Sequence, residues 1–374
     1  MTQKKTVLAE NSKIGNFAYS RFHPMQPIRL SMTSELIYSY GMEKFLRIIR
    51  TEKKTNSEMF NIHSSIFEFN VIKKKNFESI NYITIDKYDA DCPIFKGLNE
   101  YLLLYSSASL LSLDELTNNN CQIAINWSGG LHHSKIDEKS GFCYLNDINL
   151  CILNLLKHFN YILYIDIDVH HGDGVEEVFY ATNRVFVLSF HFYNKNFFPG
   201  SGSITNKGIS IGKYASYNVP IKKNIGDENY CNIFESIVRE IIESVRPDII
   251  ILQSGADSLS FDVIGRFNLS INGHSNCLNF LKKFNIPILV LGGGGYIKDR
   301  VSKCWTFETS IAIDKKIKYN IPNNIYWKLY RPNFHLDIEK KDKANDFNTK
   351  KYLDFIDSEI KKNIRFHKNN IKLF

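Results

Sequence analysis

Residues 161–174, YILYIDIDVHHGDG, carry a dense run of side chains able to do chemistry. Residues two apart on an extended strand share a face and lie roughly 6.6 Å apart along the backbone, so Asp166, Asp168 and His170 can lean towards one point. Two carboxylates and an imidazole meeting there suit a divalent metal. A lone DxD reads more simply as a buried aspartate tied to backbone amides, with His170 capping the turn. The longer run DIDVHHGD favours metal. Asp257, in QSGADSLS, is the best third candidate, because it follows an apolar run and a glycine that lets the chain turn. On its own it would be a helix N-cap. Asp168, His170 and Asp257 together leave positions open for water and a substrate oxygen, as a catalytic metal requires.

The proton chemistry falls to NWSGGLHHSK, where Gly129 and Gly130 permit the turn that brings His132 and His133 to one pocket. Histidine titrates in the range needed to take a proton from water and return it to a leaving amine. Asp166 and Asp173 are surplus carboxylates, assigned to His132 and His133 respectively as acceptors that fix tautomer and basicity. LGGGGY ends in Tyr296, whose phenol can donate to an oxyanion. A nucleotide-binding glycine loop usually follows an early strand and opens a helix, whereas this one comes late and delivers a tyrosine. Gly141 and Phe142, with Phe197 and Phe198, could wall a narrow apolar slot, or be ordinary core. Such a slot suits a long aliphatic stem bearing an amide, the shape of acetyl-lysine.

The elements that must position these groups follow a repeated syntax of apolar run and then polar or Gly-rich cluster. Residues 121–126 precede WSGGLHHS, 161–167 precede DVHHGDG, 184–190 precede HFYNKNFFPGSG, 248–253 precede SGADS and 286–291 precede GGGGY. Helical patterns at 145–159 and 228–245 lie between some of them, which implies an α/β fold with a parallel sheet. The polar clusters then gather at the carboxyl ends of the strands, where such sheets bind ligands. Residues 32–50 have helical spacing, with Ser34 and Glu35 near its start. Residues 53–88 read as mixed helix and loop, with Lys73, Lys74 and Lys75 on a solvated face, and DADCPIF leads into a helix at 98–112. Residues 1–20 are polar and expected to fray.

A chain of 374 residues, 44% hydrophobic and 13% aromatic, can bury one large core. No apolar leader or run of membrane-spanning length occurs, so a soluble intracellular protein is expected. The seven cysteines form no CxxC pair and are expected as free thiols. Residues 331–374 carry 11 basic against 7 acidic residues, +4 of the net +8. That basic tail hints at an anionic partner such as chromatin, with an ordinary solvated surface equally consistent. No basic patch interleaved with aromatics supports sequence-specific DNA binding.

Taken together, NWSGGLHHSK, SGFCYLND, YIDIDVHHGDGVEE, FFPGSG, GADSLS and LGGGGY resemble the class I zinc-dependent histone deacetylases, in the same order, from about Arg21 to Ile313. The resemblance implies an arginase/deacetylase-like three-layer fold, with an eight-stranded, mainly parallel sheet between helices. It implies an N-terminal segment at 1–20, a catalytic domain at 21–330 and a tail at 331–374. By motif, Asp168, His170 and Asp257 match zinc ligands, with ferrous iron as the alternative metal. His133 matches the general base and acid, His132 its electrostatic partner and Tyr296 the carbonyl-polarising tyrosine. Asp91 matches a rim carboxylate that holds the substrate backbone, and Gly141 a substrate contact. A structural potassium ion is implied at Asp166, Asp168, His170, Ser189 and Phe190. The implied substrates are acetylated histone tails or other acetyl-lysine proteins, in a nuclear enzyme that also has access to the cytoplasm and joins a chromatin complex. An acetylpolyamine amidohydrolase would need more acidic rims. A silent acetyl-lysine-binding scaffold would lack His133 or Tyr296.

The chain departs from the family at the rim. Where class I enzymes usually read SLSGDRLGCFN, residues 258–268 read SLSFDVIGRFN. Those enzymes gather basic side chains around an inositol phosphate at the joint with a corepressor. The matching positions here are Gln26, Val263 and Lys303, of which only the last is basic. Weak inositol phosphate binding is expected.

Overall fold

The computed structural model describes residues 6–51, 91–338, 340 and 345–371. Eight strands form one sheet: β1 Thr6–Glu10, β2 Leu46–Arg50, β3 Ile123–Asn126, β4 Ile162–Asp166, β5 Val185–Phe192, β6 Ser216–Ile221, β7 Ile249–Gln253 and β8 Ile288–Leu291. Their order is β2-β1-β3-β8-β7-β4-β5-β6, and every pairing is parallel. The five strands expected from apolar runs are therefore the five consecutive central ones, β3-β8-β7-β4-β5.

Alternation along each strand divides the interior into two cores, because neighbouring side chains leave opposite faces. Leu163, Ile165, Ile250 and Leu252 enter one core with residues of helices α1 (Ile28–Ser39), α5 (Asp227–Val245), α6 (Ile271–Leu281), α7 (Lys298–Ala312) and α8 (Lys350–Ile371). Ile162, Tyr164, Ile249 and Ile251 enter the other with the end of α2 (Leu98–Thr117), α3 (Asp147–Leu155) and α4 (Asp173–Phe179). Helices on both faces make three layers. Strands buried this way need to be apolar throughout, which is why their sequences are legible.

Three expectations are corrected. Residues 1–20 were expected to fray, but Thr6–Glu10 is a strand between β2 and β3 whose Val7, Leu8 and Ala9 are buried. The helical stretch at 32–50 starts earlier, at Ile28, and ends at Ser39. Gly41 then takes a φ of +68° and the β-branched run continues as strand β2. Ser34 and Glu35 lie inside the helix rather than at its start. In the segment expected as a tail, α8 packs against α5 and β6, burying Leu353, Ile356, Ile360 and Ile364. The expectations for 53–88 lie outside the described residues. All seven cysteines are free thiols.

Candidate active site

The carboxyl ends of β3, β8, β7, β4 and β5 deliver the polar groups to one rim. Strand β4 stops at Asp166, and the chain bends through Asp168 and His170 rather than staying extended. His170 Nδ1 lies 3.0 Å from Asp168 Oδ1 and 3.0 Å from Asp257 Oδ2, so three residues from two strand ends converge as expected. Both carboxylates are anchored by other donors. Asp168 accepts from the His170 amide, the Gln253 side chain at 3.0 Å and the Gly294 amide at 2.8 Å, and Asp257 accepts from the Val169 amide at 2.9 Å.

All three residues are buried. Burial works against the His170 charge, but Asp168 and Asp257 outweigh it and lift the imidazole to about 10. Burial and the neighbouring Asp168 push Asp257 up to about 7. Two buried carboxylates facing one imidazole are short of positive charge, and the oxygen and nitrogen donors fit a small divalent cation.

His132 and His133 lie in the turn after β3, where Gly130 has a φ of +91°. The Asp147 carboxylate holds that turn by accepting from the Gly130 and Leu131 amides. The assigned pairs meet: His132 Nδ1 is 2.7 Å from Asp166 Oδ2, and His133 Nδ1 is 2.7 Å from Asp173 Oδ1. The two dyads are electrostatically unequal. Burial lowers His132, but Asp166 and Asp168 outweigh it and raise the ring to about 9. Burial and the charge of His132 lower His133 to about 4, despite its bond to Asp173. His132 is therefore the charged ring of the two and His133 the neutral one, with its Nε2 unprotonated.

The expected slot is assembled from separate segments. The Phe197 ring stacks on His170, with centroids 5.1 Å apart and planes at 4°. Phe198 meets His133 edge-on at 4.8 Å, and Phe142 meets Tyr296 edge-on at 5.6 Å. Gly141 packs bare against the rings of His133 and Phe198. Burial, reinforced by Asp257 and Asp168, holds the Tyr296 phenol well above its ordinary value, so it remains a donor. Asp91 is exposed, and its backbone carbonyl lies 3.1 Å from His23 Nε2. Ser189 is the register partner of Asp166, and both Ser189 and Phe190 are buried.

Several supporting groups escaped the sequence. Gln253 and Tyr164, which donates to Asp166 at 2.6 Å, sit in phase with the site on β7 and β4 and could have been found from that alternation. Asp262 accepts from the Tyr296 amide at 2.8 Å. Arg29 is buried on α1, donates to the carbonyls of Gly293 and Gly295 at 2.6 Å each, and lies over Trp305 at 5.0 Å. No local signal marks it, because its partners are more than 260 residues away.

A model of the histone deacetylase domain matches residues 23–312. The chain is 44% identical over 358 residues to histone deacetylase B of Dictyostelium discoideum, covering 94% of this chain and 85% of that one. It is 45% identical to histone deacetylase 9 of Arabidopsis thaliana, covering 94% and 83%. With histone deacetylase 1 of Homo sapiens it shares 42% identity, covering 97% and 76%.

Proposed function

The chain belongs to the histone deacetylase family, and on that premise we propose how its residues remove acetyl groups from protein lysines. It is a protein-lysine deacetylase, a metal-dependent amide hydrolase with a role in chromatin regulation. The observation that carries the mechanism is the meeting of Asp168, His170 and Asp257 beside two imidazole–carboxylate dyads and a protonated tyrosine.

In this reading Asp168, His170 and Asp257 hold zinc, with ferrous iron as the alternative. When bound, such an ion supplies Lewis-acid polarisation of the amide carbonyl and acidifies water. Asp173 ties up His133 Nδ1, leaving Nε2 to take the proton of the attacking water and pass it to the leaving lysine amine. His132, held charged by Asp166, keeps its neighbour neutral in the resting state and stabilises negative charge as it develops. Tyr296 donates its phenol hydrogen to the oxyanion. Phe142, Phe198 and Gly141 line the aliphatic stem, and Asp91 accepts from the substrate backbone. Asp166, Asp168, His170, Ser189 and Phe190 are assigned to potassium. The Tyr230 ring lies 6.0 Å from that of Phe190, and its buried hydroxyl has no hydrogen-bond partner among the described residues.

The substrates in this reading are acetylated histone tails or other acetyl-lysine proteins, met in the nucleus and also in the cytoplasm, with the chain acting in a chromatin complex. By motif the catalytic domain spans 21–330, with β1 and α8 packed onto the same sheet. Among the described residues no helix is long and apolar enough to cross a membrane. The test is turnover of an acetyl-lysine histone peptide, with and without a chelator, against an acetylated polyamine. Chelator-insensitive turnover would overturn the metal assignment, and preference for the polyamine would overturn the substrate.

A further inference from the structure

Behind the active site the described residues hold a second group of metal-ligating side chains, His274 of α6 with Cys304 and Glu308 of α7. None is exposed. His274 Nδ1 lies 2.8 Å from Glu308 Oε1 and 3.4 Å from Cys304 Sγ, and Nε2 lies 2.9 Å from the Gly255 carbonyl oxygen. The Gly255 carbonyl can only accept, so Nε2 donates to it, and with Glu308 ionised Nδ1 donates as well, which makes the ring an imidazolium. Burial works against that charge, but Cys304 and Glu308 lift the imidazole well above its ordinary value. The group is closed as a proton-shared pair. Burial also pushes the Cys304 thiol up to about 11, so beside the His274–Glu308 pair it stands as a neutral thiol.

The pair grips the chain just ahead of Asp257. Glu308 Oε2 accepts from Ser254 Oγ at 2.8 Å, and Trp305 Nε1 donates to the Ser254 carbonyl at 2.9 Å. With the His274 bond to Gly255, residues 254 and 255 are held at three points by α6 and α7. Gly255 has no slack on its other side, since a Cβ there would lie 2.1 Å from Asp168 Oδ2.

We infer that His274 is a positioning residue: by fixing the Gly255 carbonyl it sets the turn that aims the Asp257 carboxylate at the metal. The inference rests on the proposed reading of Asp257 as a metal ligand. Groups that orient ligands in this way typically contribute roughly 10- to 100-fold in metal affinity.

Zinc affinity of the full chain, measured by competition with a chromophoric chelator, tests it alongside kcat and KM. The double variant His274→Phe/Glu308→Leu removes the pair as a unit, so no buried charge is stranded. Its zinc affinity should fall by roughly 10- to 100-fold, with kcat reduced and KM little changed. Glu308→Gln, which can keep His274 bonded to Gly255, should restore zinc affinity to within a few fold. Should the double variant not fold, His274→Gln is assayed in its place, with a severalfold loss expected. Native zinc affinity in the variant lacking the His274 bond, with zinc lost from Asp257→Ala, would overturn the inference alone. Zinc retained by Asp257→Ala would overturn the reading on which it rests. A second zinc equivalent that disappears in Cys304→Ala would mean that the group binds metal instead.

Discussion

Asp168–His170–Asp257 and His274–Cys304–Glu308 are both buried, both centred on an imidazole, and flank Gly255, with Asp168 on one side and His274 on its carbonyl. In the first, two carboxylates face the same ring nitrogen, and burial with mutual repulsion pushes Asp257 up to about 7. In the second, one carboxylate faces one nitrogen and a carbonyl takes the other, so the donors and acceptors balance. Carboxylates around a buried imidazole thus make a cation site or a sealed brace, depending on whether negative charge is left over.

Removing one carboxylate from each group should have different consequences. Asp257→Ala is expected to abolish zinc retention and turnover together while the fold survives, as checked by elemental analysis and circular dichroism. Stoichiometric zinc in that variant would break the comparison. Glu308→Ala should instead strand a buried imidazolium, costing about 3–5 kcal/mol in denaturant unfolding. A loss below 1 kcal/mol would mean that the back group carries no charge.

The dyads sharpen the point within the front group. His133→Ala should lose turnover by roughly 10²- to 10⁴-fold while zinc content stays native, because the variant lacks the neutral ring able to accept a proton. Zinc loss in step with activity would assign His133 to metal holding instead. Tyr296→Phe should cost somewhat less, about 2.7–4 kcal/mol of barrier, with unchanged affinity for metal-chelating inhibitors, because only an interaction with the developing oxyanion is removed. A near-normal kcat would take the tyrosine out of the mechanism.

How far this was legible in the sequence follows from the same physics. The central strands are buried on both faces and must be apolar throughout, and the polar clusters at their ends therefore stand out. Asp168, His170, Asp257, His132, His133 and Tyr296 could all be named from those clusters. The edges gave weaker signals. Strand β2, LRIIR, exposes Arg47 and Arg50 and continues a helical spacing, while β6 carries Pro220, which a central strand would not tolerate. The brace was invisible, because His274 and Glu308 lie 34 residues apart on different helices and meet a strand end elsewhere in the chain. Arg29 was missed for the same reason: a long-range bond to a backbone carbonyl imposes no local pattern.

The smallest expected effect concerns the surface at Gln26, Val263 and Lys303, where class I deacetylases resemble one another in gathering cations around an inositol phosphate. The contrast between leftover and balanced charge applies here with the sign reversed, since a polyanion needs unneutralised cations. Gln26 is neutral, and Val263 presents an exposed isopropyl group. Lys303 is largely buried, lies 3.5 Å from Asp299 one helical turn away and sits over the Tyr330 ring. Arg300 and Arg331 line the adjoining pocket, but so do Asp299 and Asp337, and Arg300 is engaged by the Ser260 carbonyl and the Phe261 ring. The surface is closer to the sealed brace than to the cation-hungry front group. Each lost charge-assisted bond is typically worth about 1.5–3 kcal/mol, so two lost positions remove most of the affinity such a joint could have. The purified chain should therefore deacetylate without a corepressor, and inositol phosphates titrated to tens of micromolar should give no calorimetric binding and less than a twofold change in rate. Restoring the cations with Gln26→Lys and Val263→Arg should create binding where none existed. Micromolar binding by the native chain with a severalfold rise in rate would show that Arg300 and Arg331 supply the charge that Gln26 and Val263 lack.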